Sequence, residues 1–483
     1  MFEEIINNIN SVIWSNAMII LCAGAGIYFS IATGFLQFSN FRDMLRLLFT
    51  GGSTEKGVSS FQAFAIALCG RIGTGNIAGV ATAIAMGGPG AVFWMWAIAV
   101  LGSASAYVEA TLGQIYKEVK DGQYRGGPSY YIEKGLGVKW YAVLFAIVTI
   151  LSTAFFLTGV QSNSISKSMQ TAFNIPLEYT GLALIILIFL IVAGGIKRIS
   201  KFAEWIVPFM SIAYILVAFI MIALNYDKVP GMFSLIFRSA FNLEPAFGGM
   251  LGSAIAWGVK RGIYSNEAGQ GTAPHAAAAA AVSHPAKQGL VQAFSVYVDT
   301  LLVCTATAFM ILITGKYNIY NPDGGYLVEN LPGVEMGPAY TQYAVAELSP
   351  GLGSAFVAVS LAMFAFTTLI AYYYMAETNL TYLDKKGKYF KIGKWVIVLM
   401  VLGSTYYGSV KSAAMAWTMG DIGVGSMAWL NLIAILLLRK PALKALRDYR
   451  AQKKAGKDPV FNSKELGIKN AHYWEDKTEE DYK

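Results

Sequence analysis

The chain has 483 residues, 55% of them hydrophobic and 14% charged, with a mean hydropathy of +0.49. That balance excludes an ordinary soluble domain and implies an integral membrane protein. A net charge of +8 would point toward nucleic acid in a soluble chain; in a membrane chain it reports loop topology, and no nucleic-acid partner is expected.

Apolar runs of about 20 residues, enough to cross roughly 30 Å of hydrocarbon, recur along the chain. The opening "MFEEIINNIN" is acidic where a secretory signal would be basic, so the run "MIILCAGAGIYFSIATGFL" is predicted to be an uncleaved first span. Eleven spans are predicted, centred near residues 27, 73, 103, 153, 187, 214, 262, 300, 365, 400 and 429. With the N-terminus outside, 29 of the 37 Lys and Arg fall on cytoplasmic loops and tail. Four lie on external segments (Lys228, Arg238, Lys316, Lys411) and four within spans (Arg71, Lys167, Lys260, Arg261). The bias predicts a multi-pass protein of the cell membrane, bathed in lipid, with its N-terminus outside and its C-terminus cytoplasmic. The external segment 315–351 carries turn signals and is a candidate cap for an outer vestibule. The tail "RKPALKALRDYRAQKKAGKDP" reads as a basic anchor lying near anionic headgroups.

The second span contains "ALCGRIGTGNIAGVATA", an apolar run interrupted by Arg71, Asn76 and glycines at 70, 73, 75 and 79. Glycine lets the backbone leave helical geometry. The freed N–H and C=O groups are tolerated at membrane depth only where a cavity, ion or substrate satisfies them. Close packing of small residues is the plainer alternative. Displaced by 190 residues, the chain aligns with itself without a gap, placing Arg71, Asn76, Ala78 and Gly79 on Arg261, Asn266, Ala268 and Gly269. Glu109 falls on Asp299, and 12 of the 42 positions from Arg71 to Leu112 are identical, where composition alone gives roughly four. Five spans separate the copies, so they cross in opposite directions. The predicted fold is therefore an all-α membrane protein with a five-plus-five inverted repeat and broken helices in spans two and seven. Its divisions are a peripheral first span and loop (1–50), two five-helix repeats (51–240 and 241–440), and a cytoplasmic tail (441–483).

At these residues the sequence resembles the alanine or glycine:cation symporter family, through "GRIGTGNIAGVATAI", "GGPGAVFWMWAIAVLG" and "RGIYSNEAGQGTAPHAAAAA". The resemblance runs over nearly all the chain. It implies sodium-coupled uptake of small neutral amino acids, alanine or glycine, on the inverted-repeat fold of the bacterial leucine transporter. No cofactor is implied beyond sodium as co-transported ion.

A zwitterionic substrate needs an anion end and a cation end. The free N–H groups at Thr74, Gly75 and Asn76, at the start of a half-helix, are a place for its carboxylate. Carbonyls of the two breaks, around Trp257, Gly258 and Tyr264, would face its ammonium. Trp257 and Tyr264 are candidates for the side-chain wall, or equally packing residues. Gln161 suits substrate contact or helix–helix hydrogen bonding. The resemblance implies a sodium site built from the carbonyls of Cys69 and Ile72 with the hydroxyls of Thr367 and Thr368; back-bonding to their own helix is the alternative for the threonines. Arg71, Arg261, Glu109 and Asp299 are read as buried ion pairs, structural or gating, with a substrate-binding arginine as the rival. Glu267 falls opposite Ile77 and Gln270 opposite Val80, so Glu267 is a candidate for ion or ammonium binding, or a partner for Lys260 or Arg261. Proton coupling through Glu267 or Asp299 is the alternative function. The three cysteines lie in apolar runs, the three histidines are scattered, and no GxxxxGK[ST] loop occurs. These features argue against a disulfide framework, a Cys/His metal centre and an ATP-driven pump. No catalytic residue is assigned.

Overall fold

The computed structural model describes residues 2–192, 195–244, 247 and 249–475. Residues 193–194 of the fifth predicted span and 476–483 of the tail lie outside them. Seven helices among the described residues are long and apolar enough to cross a membrane: Glu3–Ala32, Gly90–Ile115, Lys139–Phe173, Ala203–Leu224, Pro285–Thr314, Leu352–Leu383 and Ala413–Leu437. The pair Ser60–Arg71 and Gly75–Gly87, bent by 52°, is together long and apolar enough for one more, as a broken span or a re-entrant loop. Helices Leu177–Val192, Leu251–Asn266 and Phe390–Val410 cover the other predicted centres. The outer surface carries Phe209, Ile212, Leu216 and Phe219 exposed along one helix, a face that lipid rather than water would cover.

Helix Ser60–Arg71 starts at a capping box in which Ser59 and Gln62 satisfy each other's backbone N–H groups. Helix Gly90–Ile115 lies against Leu251–Asn266 and Pro285–Val296, and Leu157–Phe173 lies against Leu352–Leu383 and Phe390–Val410. Ser60–Arg71 in turn lies against Leu352–Leu383 and Pro285–Val296, and Leu251–Asn266 against Val80–Gly87, which brings the two breaks together inside the bundle. Arg71, Asn76, Glu109, Glu267 and Asp299 are all buried there.

Two departures from the sequence reading stand out. Two short antiparallel hairpins interrupt the all-helical pattern: Glu118–Lys120 with Gln123–Arg125, and Asn318–Tyr320 with Tyr326–Glu329. The first turns at Asp121 and Gly122, both at positive φ, as a tight hairpin requires. The tail is also more than a headgroup anchor. Its helix Arg439–Lys454 buries Ala442, Ala445, Leu446 and Tyr449 against the bundle, and the chain beyond it folds back onto the protein with Phe461 and Trp474 fully buried.

Candidate functional site

The first break follows Arg71, the last residue of its helix, and Ile72 is extended (φ −76°, ψ 92°). Side chains take up the N–H groups released there. Asn76 Oδ1 accepts from the Gly73 N–H at 2.8 Å and Gln161 Oε1 from the Thr74 N–H at 3.0 Å. The carbonyls point the other way. Thr368 Oγ1 lies 2.7 Å from Cys69 O and 3.4 Å from Ile72 O across the break. Both threonines also back-bond to their own helix, Thr367 Oγ1 at 2.8 Å and Thr368 Oγ1 at 3.0 Å from Phe364 O, so that alternative is present beside the cross-helix contact. A hydroxyl has one proton, so it cannot serve three carbonyls at once. The cluster is a set of hard oxygens with more acceptors than donors. Gly73 is required beside it, because a Cβ would lie 2.5 Å from Thr368 Oγ1 and 3.0 Å from Gln161 Oε1.

The second break runs from Glu267 to Thr272 between helices Leu251–Asn266 and Ala273–Ala279. Its path is left-handed at Glu267 (φ 55°), Gly269 (φ 82°) and Gly271 (φ 90°). Glu109 holds this loop: its carboxylate accepts the Gly269 N–H at 3.2 Å and the Gly271 N–H at 3.1 Å, and Asn431 Nδ2 at 2.7 Å. Glu267 turns back over the loop, accepting Thr272 Oγ1 at 2.7 Å and the Tyr372 hydroxyl at 3.3 Å.

Asp299 ties the two breaks together. It accepts Asn76 Nδ2 at 2.6 Å and Ser265 Oγ at 3.1 Å, and Thr300 Oγ1 at 2.7 Å. The breaks are in direct contact, since a Cβ on Gly75 would lie 3.0 Å from Ser265 Cα.

The expected ion pairs among Arg71, Arg261, Glu109 and Asp299 do not form. Arg71 donates to Gln292 O at 3.1 Å and to Ser295 Oγ, and pairs with no carboxylate among the described residues. Its Nε and Nη2 have no partner there. Arg261 instead makes a two-pronged pair with Asp421 (2.8 and 2.9 Å), and Lys260 reaches the same carboxylate at 2.6 Å. Glu267 is therefore partner to neither. The mates differ because Arg71 ends its helix, whereas Arg261 stands within the helix that ends at Asn266.

Trp257, Tyr264 and Trp417 surround the Arg261 guanidinium, with ring centres 5.1, 5.4 and 4.5 Å away. Trp257 thus belongs to this cluster, and Tyr264 stands between it and the break. A cavity of about 330 Å³ opens above, lined by Lys260, Arg261, Asp421 and Trp257, and by Tyr320, Glu335 and Met336 of the 315–351 segment. Gly258 lies away from it: a Cβ there would meet Trp94 Cβ at 2.5 Å and Ala91 O at 2.6 Å, so its smallness serves helix packing. Gln270 is buried, its Nε2 4.0 Å from Met427 Sδ. Phe364 O, Ser265, Tyr372 and Asp421 were missed from sequence. Only Phe364 had a local signal, as the residue one turn before the two threonines.

The Sodium:alanine symporter family profile matches residues 1–463. The chain is 55% identical over 436 residues (89% of this chain, 97% of the relative) to a sodium/proton-dependent alanine carrier protein of Bacillus sp. strain PS3. It is 38% identical over 448 residues (90% and 95%) to the sodium/alanine symporter AgcS of Methanococcus maripaludis. Its fold is similar to that of MhsT, solved in complex with L-phenylalanine, at TM-score 0.56 and 14% identity, over 82% of this chain and 98% of that one.

Proposed function

We propose that this chain, which belongs to the sodium:alanine symporter family, couples sodium influx to uptake of alanine through the two facing breaks. It is a secondary active transporter working by alternating access, not an enzyme, and sodium is its co-transported ion. One positive charge entering across about 100 mV supplies about 2.3 kcal/mol, enough to concentrate a neutral amino acid roughly fiftyfold. Glycine is a substrate as well, because it has the same two charged ends and a smaller side chain.

The observation that carries the reading is the oxygen cluster of Cys69 O, Ile72 O, Phe364 O and Thr368 Oγ1. Crowded acceptors of this kind, without a carboxylate, suit a small hard monovalent cation. Sodium binds there, with Thr367 as a further oxygen. The substrate carboxylate binds at Thr74, Gly75 and Asn76, displacing Gln161 Oε1 from the Thr74 N–H, so that Gln161 turns its amide donors toward it. Its ammonium faces the carbonyls of both breaks with Glu267 nearby. Tyr264 closes the side-chain wall. Arg261, Lys260 and Asp421 form an outer gate above it, Glu109 and Asp299 hold the two breaks in register, and Arg71 anchors the first break to helix Pro285–Val296.

The architecture we propose has eleven spans: a peripheral first span and two five-helix units, 51–240 and 241–440, running in opposite directions. The 29-to-4 charge bias supports an external N-terminus and a cytoplasmic tail in the cell membrane. Proton coupling through Glu267 or Asp299 is the second reading; both are buried at the breaks without an ion-pair partner among the described residues.

The test is uptake of labelled alanine into liposomes holding the purified protein, driven by a sodium gradient alone or a pH gradient alone. Accumulation with sodium at equal pH supports the proposal. Accumulation that follows only the pH gradient overturns the sodium assignment.

A further inference from the structure

The inner ends of both broken helices meet away from the 330 Å³ cavity. Val58, just before Ser60–Arg71, bridges to Ala280, just after Ala273–Ala279: the Val58 N–H donates to Ala279 O at 3.0 Å and the Ala281 N–H to Val58 O at 2.9 Å. Opening the site on this side must separate these two segments. The chain beyond the tail helix lies across them.

It is fastened at two places. Near its start, Asp458 pairs with Lys287 at 2.7 Å, Pro459 O accepts from Ser283 Oγ at 2.9 Å, and the Phe461 N–H donates to Ser283 O at 2.9 Å. These contacts grip the loop that leaves Ala280. Near its end, Trp474 Nε1 donates to Gln114 O at 2.8 Å, and Tyr473 meets Tyr124, whose own N–H bonds Lys56 O at 3.0 Å. Lys117 donates to Ala280 O at 2.9 Å under the rings of Tyr124, Tyr473 and Trp474. The second fastening therefore reaches both sides of the bridge. A cleft of about 630 Å³ lies beside it, between residues 50–54 and 281–283, with Ser60 and Asp458 on its walls. It leaves room for the start of Ser60–Arg71 to swing.

We propose that residues 455–475 are a strap that holds the inner halves of the broken helices together, and that its release favours the state open toward the tail side. The alternative, a tail that only completes the fold, leaves the balance of states unchanged when the strap is cut. The proposal rests on the alternating-access reading.

The probe is native Cys69, 2% exposed at the first break. Inside-out vesicles are treated with a membrane-impermeant maleimide, and Cys69 modification is followed by peptide mass spectrometry. Three proteins are compared: the parent, a chain ending at Ala455, and the double variant Asp458→Asn/Trp474→Ala. Release of the strap should speed Cys69 labelling by about fivefold or more, the range of ordinary conformational coupling, with Cys22, which lies on the first span away from the breaks, unaffected. Unchanged Cys69 labelling in folded variants overturns the strap. If the shortened chain does not fold, by gel filtration, the double variant decides alone. Sodium-driven alanine uptake by the parent in the same vesicles tests the underlying reading separately.

Discussion

Thr368→Val tests the ion site with the smallest change of shape. Valine keeps the volume and removes the one oxygen that lies within 3.4 Å of Cys69 O, Ile72 O and Phe364 O. Without sodium, the variant leaves at least Cys69 O, a buried carbonyl freed by the break, without its donor. With sodium, it removes one oxygen from a small set. The shift in sodium dependence is the difference between these two losses; a net loss of about 1–2 kcal/mol in the sodium-bound state corresponds to a rise of roughly 5- to 30-fold in the sodium concentration for half-maximal uptake. Thr368→Ser keeps the oxygen and should stay close to the parent. The assay is initial alanine uptake into proteoliposomes across a sodium titration, with equal reconstitution checked by gel. A Val variant whose sodium dependence matches the parent's would refute the placement of the ion.

Gly73→Ala puts a methyl 2.5 Å from Thr368 Oγ1; sodium-driven uptake should be lost while the protein still reaches the membrane, read by uptake against surface immunoblot. Asp421→Asn leaves Lys260 and Arg261 buried without their carboxylate, and should cost about 3–5 kcal/mol of stability, the usual penalty for breaking a buried pair. Thermal unfolding in detergent checks it, and Lys260→Met should cost less because the Arg261 pair survives. Glu109→Gln sets an amide donor against the Gly269 or Gly271 N–H, and should cost about 1–3 kcal/mol, seen as a slower maximal rate at saturating sodium and alanine.

Both breaks were legible because glycines and polar groups stand out in runs that otherwise obey the bilayer's apolar demand. The 190-residue self-alignment found the second break from the first. It failed at the level of side-chain partners. Aligned arginines do not share an environment when one ends its helix and the other lies inside it, and Asp421, which takes Arg261, is 160 residues away with no mate to announce it. The roles of Glu109 and Asp299 were hidden for the same reason: each accepts hydrogen bonds from backbone or amide groups that only the folded breaks bring near. The tail is a different case. Ala442, Ala445, Leu446 and Tyr449 stand at helical spacing, a signal outweighed by the basic residues between them.

The most direct measurement is influx of labelled sodium into proteoliposomes on addition of alanine, with no pH gradient and the voltage held. Coupled transport is expected to give sodium influx that requires alanine, saturates with it, and disappears in Thr368→Val at low sodium. Alanine uptake with no accompanying sodium would contradict the account.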